Sequence, residues 1–295
     1  MKTIKAYFII NPISGGKAKD HLKSLLNKEL SQSFSEMEIV YTDYIKHAEE
    51  LTRHAIAQNF DLIVAVGGDG TINEVAKNLV NTQVKFGIIP YGSGNGLARF
   101  LNIPLNTHKA IKNIKEGVCL KMDTGTLNAK SFFNMAGVGF DAKIGYLFSK
   151  TIKRGFSNYV KIVLREIYSL KPTSFKVIID GQEYNERAFM ISIANSSQYG
   201  NDMNIAKEAS VTDGLFDVCI IKPFPKILLP YFGVLMAMNK LKTKYLKIIC
   251  GEKILIQSEG SFFAHLDGEP IFIEKEVNIE VLPLSLNIIV PKQRV

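Results

Sequence analysis

The chain has 295 residues, 46% of them hydrophobic and 22% charged, an ordinary globular composition that suits one large domain or two medium ones. Its cysteines, Cys119, Cys219 and Cys250, form no CxxC pair, which argues against a disulfide scaffold or a zinc site, and no apolar run suits a signal peptide or a membrane span. A net charge of +8 favours an acidic partner, such as an anionic membrane, nucleic acid or a phosphorylated ligand.

The first 116 residues alternate predicted strands with predicted helices. This alternation favours a parallel sheet covered by helices, in which ligands bind at the carboxyl ends of the strands. Loops rich in glycine, asparagine and serine follow three of the strands, at 11–16, 67–71 and 91–96, and we expect them to converge. The predicted strands are 4–10, 38–42, 62–66 and 84–89, and the predicted helices are 18–30, 46–58, 71–79, 97–101 and 108–116.

From residue 125 the pattern changes to short β-like runs separated by Asn, Gly and Asp-Gly turns. This pattern predicts a mostly antiparallel second domain, interrupted by helical segments at 159–170 and 227–241. We predict an α/β domain over residues 1–124 and a β-rich domain over 125–285. Residues 286–295, which include a last predicted strand at 286–290, could complete the first domain or belong to the second. The predicted β runs are 131–138, 174–180, 187–194, 215–221, 253–258 and 277–281.

The most informative stretch is the loop Gly67-Gly-Asp-Gly-Thr71, which follows a short apolar strand and opens a helix with Asp69 or Thr71 as its predicted N-cap. Glycines let backbone N–H groups approach a ligand, and a helix N-terminus favours phosphate. The carboxylate of Asp69 would repel phosphate unless a divalent cation lay between them. The loop therefore predicts Mg²⁺-bound nucleotide phosphates. A tight structural turn is the alternative, but it gives no reason for Asp69.

Seven blocks carry a wider likeness: Asn11-Pro12…Ser14-Gly15, Gly67-Gly-Asp-Gly-Thr-Ile-Asn-Glu-Val75, Pro90…Gly92-Ser-Gly-Asn95, Met122-Asp-Thr-Gly125, Phe133-Asn134…Gly137-Val-Gly-Phe-Asp-Ala142, Thr212-Asp-Gly-Leu-Phe-Asp217 and Leu266-Asp-Gly-Glu269. In order and spacing they resemble the diacylglycerol kinase and sphingosine kinase superfamily over nearly the whole chain. The resemblance implies an ATP-binding, parallel-sheet α/β domain related to those of NAD kinase and 6-phosphofructokinase. It also implies a mostly antiparallel β-sandwich second domain, with the active site in the cleft between the two.

The resemblance implies a role for each residue that matches a family motif. Asp69 would act through Mg²⁺ and its waters on the ATP phosphates, and Asp123 would join that network. The residues implied to line the ATP site come from the three loops, the second strand and the third helix. They are Asn11, Pro12, Ser14, Gly15, Gly16, Thr42, Gly67, Gly68, Asp69, Gly70, Thr71, Asn73, Gly92, Ser93 and Asn95.

The resemblance also assigns two groups of residues in the second domain. Glu269 is implied to be the general base that accepts the proton of the acceptor hydroxyl, with Asp267 beside it. Taken alone, 266–269 would more simply be a hairpin turn with solvated acids. Asp213 is implied to bind a structural Mg²⁺ with the backbone carbonyl groups of Ser210 and Leu215, a donor set that suits a hard cation. An Asp-Gly turn without a metal is the alternative.

The third loop departs from the bacterial diacylglycerol kinase pattern, in which an Asp follows the Asn. Here the pair is Asn95-Gly96. The Gly-Ser-Gly-Asn form of this loop resembles the sphingosine and ceramide kinases, whereas the loop at 67–71 resembles the diacylglycerol kinases. The expected acceptor is therefore the primary hydroxyl of either a diacylglycerol-like or a sphingoid lipid.

Two basic stretches suggest how the chain reaches a lipid. From Lys143 to Lys176 there are eight Lys or Arg and one acid, and from Lys222 to Lys247 there are six lysines and no acid, flanking an apolar segment. This pattern predicts a cytoplasmic protein that docks transiently on an anionic membrane, and it allows a homodimer. A solvated face over a core-covering helix is the alternative. No nucleic-acid-binding module is recognisable, so no nucleic-acid partner is expected.

Two other functions stay open at this point. The first is an NAD kinase-like enzyme, because NAD kinases share the Gly-Gly-Asp-Gly-Thr loop. The uninterrupted run into Asn73-Glu74 and the block at 266–269 favour a lipid kinase instead. The second is a non-catalytic lipid- or nucleotide-binding regulator, against which the joint presence of Asp69, Asp123 and Glu269 argues.

Overall fold

A computed structural model describes residues 4–16, 20–151, 156–166, 171–200, 203–228, 231, 234–235, 238 and 243–292. The chain divides into two compact units, Met1–Met122 with Leu284–Val295, and Asp123–Pro283. In the part of the chain that is described, the helices lack either the length or the apolar character needed to span a bilayer.

The first unit contains all the strands and helices predicted for the first 116 residues, with boundaries shifted by a few positions. Its strands are short and apolar, and its longer helices turn an apolar stripe towards the sheet. The elements are β1 (Lys5–Ile10), α1 (Asp20–Leu30), β2 (Glu36–Tyr41), α2 (His47–Ala57), β3 (Leu62–Gly67), α3 (Asp69–Ala76), β4 (Lys85–Pro90), α4 (Gly96–Phe100) and α5 (Thr107–Glu116).

The rest of the chain is rich in strands, and its last strand returns to the first unit. The elements are β5 (Val118–Leu127), β6 (Lys130–Phe132), β7 (Met135–Gly139), α6 (Phe140–Ser149), α7 (Phe156–Glu166), β8 (Thr173–Ile179), β9 (Gln182–Ala188), β10 (Met190–Ala194), β11 (Gln198–Gly200), β12 (Met203–Asn204), β13 (Phe216–Ile221), β14 (Leu246–Gly251), β15 (Lys253–Gln257), β16 (Phe262–Leu266), β17 (Glu269–Ile273) and β18 (Glu276–Val290).

The sheet of the first unit is parallel, in the order β2-β1-β3-β4, with the last part of β18 beside β4. β3 is buried along its whole length, as expected of a strand covered on both faces. In this order the chain first moves to one side of β1 and then to the other. Sheets of this kind bind ligands where the order reverses, here between the carboxyl ends of β1 and β3.

The second unit packs two antiparallel sheets around one core. One sheet has the order β14-β13-β10-β7-β16-β17, and the other includes β9-β8-β15 and the first part of β18. Buried residues from both sheets, among them Phe175, Ile191, Phe216 and Ile256, form a single apolar cluster. The predicted fold class, a parallel α/β domain followed by a mostly antiparallel β-sandwich, is confirmed.

Several predictions in the second half of the chain were wrong in detail. The predicted run 131–138 is interrupted between β6 and β7. Helix α6, which was not predicted, follows β7 directly because Gly139, with φ of 100°, turns the chain from strand to helix. The predicted runs 277–281 and 286–290 belong to one strand, β18. No predicted run covers β5, β11, β12, β14, β16 or β17, and the run 187–194 covers β10 but only the end of β9.

Both predicted helical segments of the second half are only partly described. The segment 159–170 corresponds to α7, which begins earlier, at Phe156, and residues 167–170 lie outside the described part. Of the segment 227–241, the structure describes a helical turn, Lys226–Leu228, and the separate residues 231, 234, 235 and 238. The remainder of that prediction lies outside the described residues.

Candidate active site

The three glycine-containing loops of the first unit meet at the N-terminus of α3, as the sequence predicts. The backbone N–H of Asn11, directly after β1, donates to the carbonyl oxygen of Val66 in β3 at 3.0 Å. The Asn11 side chain then donates through Nδ2 to Oγ1 of the buried Thr71 at 3.0 Å. The first loop is therefore bonded both to β3 and to the first turn of α3.

Glycine is required where these loops touch. A Cβ atom at Gly15 would lie 2.1 Å from the carbonyl oxygen of Tyr91, and one at Gly92 would lie 2.7 Å from the Cα of Gly68. No real side chain tolerates such distances, so any larger residue would push the loops apart. Gly15 and Gly92 are thus needed for the loops to pack against each other, whether or not a ligand also approaches them.

Asp69 is the first residue of α3, and the predicted N-cap was wrong: Gly68 occupies that position in an extended conformation. The Asp69 carboxylate turns to the third loop, where Oδ2 accepts from the N–H of Asn95 and Oδ1 from the N–H of Gly96, both at 2.9 Å. Asn95 and Gly96 begin the short helix α4, so the carboxylate satisfies N–H groups of α4 that have no partner within that helix. The orientation of Asp69 is consequently fixed by the backbone.

Asn95 closes the third loop on itself. It adopts a left-handed conformation with φ of 54°, its Oδ1 accepts from the N–H of Gly92, and its Nδ2 donates to the carbonyl oxygen of Gly92, both at 2.8 Å. Arg99 donates through Nε to the carbonyl oxygen of Gly94 at 2.9 Å. The structure thus uses the Asn95 side chain to shape the loop, and its direct contact with a nucleotide stays a prediction.

The other residues predicted to bind nucleotide lie around this cluster. Thr42 is buried after β2, and its N–H donates to the carbonyl oxygen of Ile10 at 2.9 Å. Ser14 donates through Oγ to the carbonyl oxygen of Asn11 at 3.1 Å. Asn73 is half-buried in α3. Exposed positions are occupied by Pro12, Gly16, Gly70 and Ser93.

The donor set around Asp69 fits Mg²⁺ bound through phosphate and water. Within the described part of the chain, no three His, Cys, Asp or Glu side chains gather as a metal cage. Mg²⁺ keeps several waters and commonly uses one or two carboxylates together with substrate phosphates. Each Asp69 oxygen accepts one N–H and has a second lone pair to offer. A single oriented carboxylate is thus a suitable partner for a hydrated ion.

In the second unit, Asp123 is fully buried and bonded to the loop that contains Asp213. Its Oδ2 accepts from the N–H of Gly214 at 2.8 Å, and its own N–H donates to the carbonyl oxygen of Val211 at 2.7 Å. Asp213 itself is exposed, and its Oδ1 accepts from the N–H of Leu215 at 3.2 Å. The structure therefore joins two blocks of sequence that are 90 positions apart.

The loop with Asp213 carries concentrated negative charge. Burial raises the pKa of Asp217, and the nearby carboxylates of Asp213 and Glu208 raise it further, while the Cys250 thiol opposes this by donating to Asp217 Oδ1 at 3.1 Å. The predicted ligand set of Ser210, Asp213 and Leu215 lies in one short turn. Asp213 would be the one side-chain ligand, and the other two ligands would be backbone carbonyl groups. This metal site stays a prediction.

The block at 266–269 forms a tight hairpin between β16 and β17. Asp267 and Gly268 both have positive φ, 47° and 88°, as a two-residue Asp-Gly turn requires. The Asp267 carboxylate accepts three backbone N–H groups, from Phe133 at 2.9 Å, Asn134 at 2.8 Å and Met135 at 2.9 Å. Burial raises the pKa of Asp267, and these donors oppose the rise.

These contacts separate the roles of the two acids in the hairpin. Asp267 ties the turn to the start of β7, so the structure gives it a scaffolding task, and a direct catalytic role for it stays a prediction. Glu269 is exposed at the start of β17, opposite Leu266. Of the two, Glu269 is the carboxylate that can reach a substrate from solvent.

Sequence reasoning missed Asn195, which links two of the predicted blocks. This buried side chain donates through Nδ2 to the carbonyl oxygens of Asp123 at 2.9 Å and Phe133 at 2.8 Å. Phe133 in turn donates its N–H to Asp267. The structure therefore brings Asp123, Asn195 and the hairpin into one hydrogen-bonded group. Asn195 lies just after β10 in no recognised motif, so the sequence offered no signal for it.

Two family models match the chain. One is described as the diacylglycerol kinase catalytic domain and matches residues 5–127. The other is described as the YegS C-terminal NAD kinase beta sandwich-like domain and matches residues 134–290, more than half of the chain. The two matches follow each other in the same order as the α/β unit and the β-sandwich unit.

Relatives and solved structures agree with these matches. The chain is 29% identical over 298 residues to the diacylglycerol kinase of Bacillus subtilis (strain 168), covering 95% of this chain and 96% of the relative. It is 27% identical over 279 residues to the diacylglycerol kinase of Staphylococcus aureus (strain JH9), covering 90% and 86%. A crystal structure of a diacylglycerol kinase from Bacillus anthracis str. Sterne shares the fold, with a TM-score of 0.77, 22% identity and full coverage of both chains.

We expect Asp267→Asn to destabilise the second unit by about 1–3 kcal/mol, because the Asn amide would place its own N–H groups against the N–H of Phe133. Thermal or urea unfolding measures the loss. The matched control is Asp180→Asn, since Asp180 is also in an Asp-Gly hairpin and accepts from the N–H groups of Glu252 and Lys253, but it is exposed to water. We expect a smaller loss in the exposed control, and an Asp267→Asn variant as stable as the unmodified chain would contradict the scaffolding role.

Proposed function

We propose an activity for this chain, which belongs to the diacylglycerol kinase family and has a YegS-type C-terminal domain. This is the family that the seven sequence blocks predict. Members of this family are lipid kinases, and so is this chain. The proposed reaction is Mg²⁺-dependent transfer of the γ-phosphoryl group of ATP to the primary hydroxyl of a lipid. The name of the curated relatives supports a diacylglycerol over a sphingoid base as that lipid.

One observation carries the nucleotide half of this proposal. The three glycine-containing loops converge on the N-terminus of α3, beside the switch point between β1 and β3. The first N–H groups of a helix have no carbonyl partner within it, and the helix dipole favours an anion there. A phosphate chain is the anion that such a site most commonly holds. We therefore assign the polyphosphate of ATP to this place.

The open space around Gly70 supports the same assignment. Gly70 is exposed in the first turn of α3, and a Cβ atom built on it would meet no atom within 4 Å. Its φ is negative, so neither packing nor backbone strain demands glycine there. A close ligand is the remaining reason for a glycine at a position where alanine would favour the helix.

Asp69 would hold hydrated Mg²⁺, which would neutralise charge on the phosphates during transfer. The part in the same metal network that the resemblance gives to Asp123 stays a prediction. On the protein side, the N–H groups of Asn95 and Gly96 keep the Asp69 carboxylate in one orientation. Gly96 takes the place where the resemblance leads one to expect an acid, so Asp69 is the carboxylate that the three loops contribute. A second Mg²⁺ at Asp213, with the carbonyl groups of Ser210 and Leu215, would stabilise the loop bonded to Asp123.

Glu269 would accept the proton of the lipid hydroxyl while that oxygen bonds to the γ-phosphorus and the bond to the bridging oxygen of ADP breaks. A primary alcohol is a weak nucleophile at neutral pH, so a positioned carboxylate assists its attack. Glu269 is exposed and can meet such a substrate, whereas the oxygens of Asp267 are used by three backbone donors.

We also propose that the enzyme works in the cytoplasm and docks on an anionic membrane through a stripe of exposed apolar residues. Ile227, Tyr231, Val234 and Met238, here called the apolar stripe, follow the spacing of one helix face and are each more than half exposed. Lys226 and Lys244, on either side of the stripe in the sequence, are exposed, and no acid occurs between residues 222 and 247. Apolar insertion combined with positive charge suits anionic lipid.

The activity is tested with γ-labelled ATP, Mg²⁺ and separate acceptors: diacylglycerol, sphingosine and NAD⁺. We expect label in the lipid product with diacylglycerol, and Glu269→Gln should lower kcat by roughly 10²–10⁴-fold, the usual contribution of a general base. Glu276→Gln is the control, an exposed acid in the same unit. Label on NAD⁺ would show an NAD kinase-like enzyme, and turnover of no acceptor would favour a binding regulator.

We expect Gly70→Ala to leave the melting temperature unchanged or raised, since alanine gains up to about 1 kcal/mol in a helix, yet to weaken ATP-analogue binding at least about tenfold by filling the phosphate space. Calorimetric titration and thermal unfolding measure the two effects. Gly260→Ala is the control, because Gly260 also has open space and lies in a loop of the other unit. Unchanged affinity in Gly70→Ala would place the phosphates elsewhere.

Docking is measured by co-sedimentation with vesicles of phosphatidylcholine alone or mixed with phosphatidylglycerol. We expect Ile227→Asp to weaken binding to the mixed vesicles by roughly tenfold or more, since burying an isoleucine contributes about 1.5–3 kcal/mol. Ile45→Asp is the matched control, because both isoleucines are 86% exposed. An equal loss in both variants would refute the stripe. Conversion of a dimer to a monomer by Ile227→Asp would assign the stripe to a homodimer interface.

A further inference from the structure

A group of three buried polar side chains lies in the second unit, and none of the roles proposed above uses it. Asp141, Ser192 and His265 are 7%, 0% and 8% exposed. Asp141 Oδ2 accepts from Ser192 Oγ at 3.3 Å and lies 3.0 Å from His265 Nε2, while Oδ1 accepts from the N–H of Ala142 at 2.8 Å. The carboxylate is therefore surrounded by hydrogen-bond donors.

The sequence Gly137-Val-Gly-Phe-Asp141 makes room for this carboxylate. Gly137 lies in β7, directly between Ser192 in β10 and His265 in β16. A Cβ atom on Gly137 would lie 2.6 Å from Asp141 Oδ2 and 2.8 Å from His265 Nε2. Gly139, with φ of 100°, then turns the chain so that the first turn of α6 brings Asp141 back over Gly137. Both glycines of this block thus serve the buried group.

The imidazole connects the carboxylate to the hairpin. The N–H of Gly268 points to His265 Nδ1 at 3.4 Å, so Nδ1 is the acceptor nitrogen. This assigns the ring proton to Nε2, where it is donated to Asp141. Gly268 immediately precedes Glu269. The hydrogen-bonded series Asp141–His265–Gly268 therefore ends next to the proposed base.

We propose that Asp141 and His265 are positioning residues that hold the 266–269 hairpin so that Glu269 stays aligned for proton acceptance. The inference rests on the proposed role of Glu269. Asp267 ties one side of the turn to β7, and His265 ties the amide of Gly268 from within β16. A general base must lie within hydrogen-bond reach of its proton, so a loosened turn costs rate even when the fold survives.

Stability alone does not account for this group. Burying a carboxylate and an imidazole costs desolvation energy that their attraction barely offsets, and apolar residues of similar volume often stabilise a core as well or better. A hydrolytic Ser-His-Asp arrangement is excluded by the geometry. Ser192 donates to Asp141, whereas a serine nucleophile must bond to the histidine. A positioning role for the Asp141–His265 pair agrees with both facts.

A double-mutant cycle with Asp141→Asn and Glu269→Gln tests the proposal, with kcat expressed per nucleotide-binding site. We expect Asp141→Asn to lower kcat roughly 10- to 100-fold with the KM for ATP unchanged, and to cause no further loss in a Glu269→Gln background. Val177→Ala is the stability control, since this core residue of β8 should lower the melting temperature while kcat per site stays normal.

A second measurement does not depend on activity. Amide hydrogen exchange over 266–269 should be faster in Asp141→Asn and unchanged in Val177→Ala. His265→Asn, which can keep an acceptor near the Nδ1 position, should retain more protection at Gly268 than His265→Gln, which can keep only the donor to Asp141.

Each contrary outcome has a separate meaning. Losses that multiply in the double mutant, or unchanged exchange over the hairpin in Asp141→Asn, would overturn the positioning role while Glu269 stays the base. Normal turnover in Glu269→Gln alone would overturn the base assignment and, with it, this inference. Absence of lipid phosphorylation by the unmodified chain would instead refute the proposed function.

Discussion

The close contact between three backbone loops at the N-terminus of α3 is the constraint on which the first unit depends. The contacts between Gly15 and Tyr91 and between Gly68 and Gly92 leave no room for a Cβ atom. Because the loops touch backbone to backbone, their N–H groups stay concentrated around one small volume. The Asp69 carboxylate fits this arrangement, since it takes up two N–H groups of the third loop. The site is thus built largely from main chain, with a few side chains fixing its shape.

The same physical device recurs in the second unit. Asp123, Asp180 and Asp267 each accept backbone N–H groups from a segment distant in sequence. Such charge-assisted hydrogen bonds hold turns in place more firmly than the exposed ion pairs on the surface, which typically contribute less than about 1 kcal/mol. In this protein, these three aspartates hold distant segments together by accepting backbone hydrogen bonds. Glu269, in contrast, is exposed to solvent.

Much of the fold followed from local pattern. The parallel α/β half was predictable because short apolar strands and amphipathic helices alternate there, and β3 and its glycine loop have an unambiguous signature. The second half was less predictable because its strands are short and its turns abrupt. Helix α6 was missed because it starts directly after the buried strand β7, and only the positive φ of Gly139 separates them. The predicted N-cap of α3 was wrong because the Asp69 carboxylate accepts a hydrogen bond from the third loop, 26 residues away, and not from its own helix.

The sequence by itself determined the family, the two-part architecture and the loops that would meet. These follow from motifs and hydrophobic patterns, which are local properties of residue type and spacing. Only the tertiary structure decided which hydrogen-bond partners each acid has and whether it is exposed. Asp267 and Glu269 look alike in the sequence, two residues apart, yet one is bonded to three backbone N–H groups and the other is exposed. Asn195 and His265 acquire partners through strand pairing, and a single sequence does not encode that register locally. The physical reason is that hydrogen-bond partners and burial are properties of contacts between segments far apart along the chain.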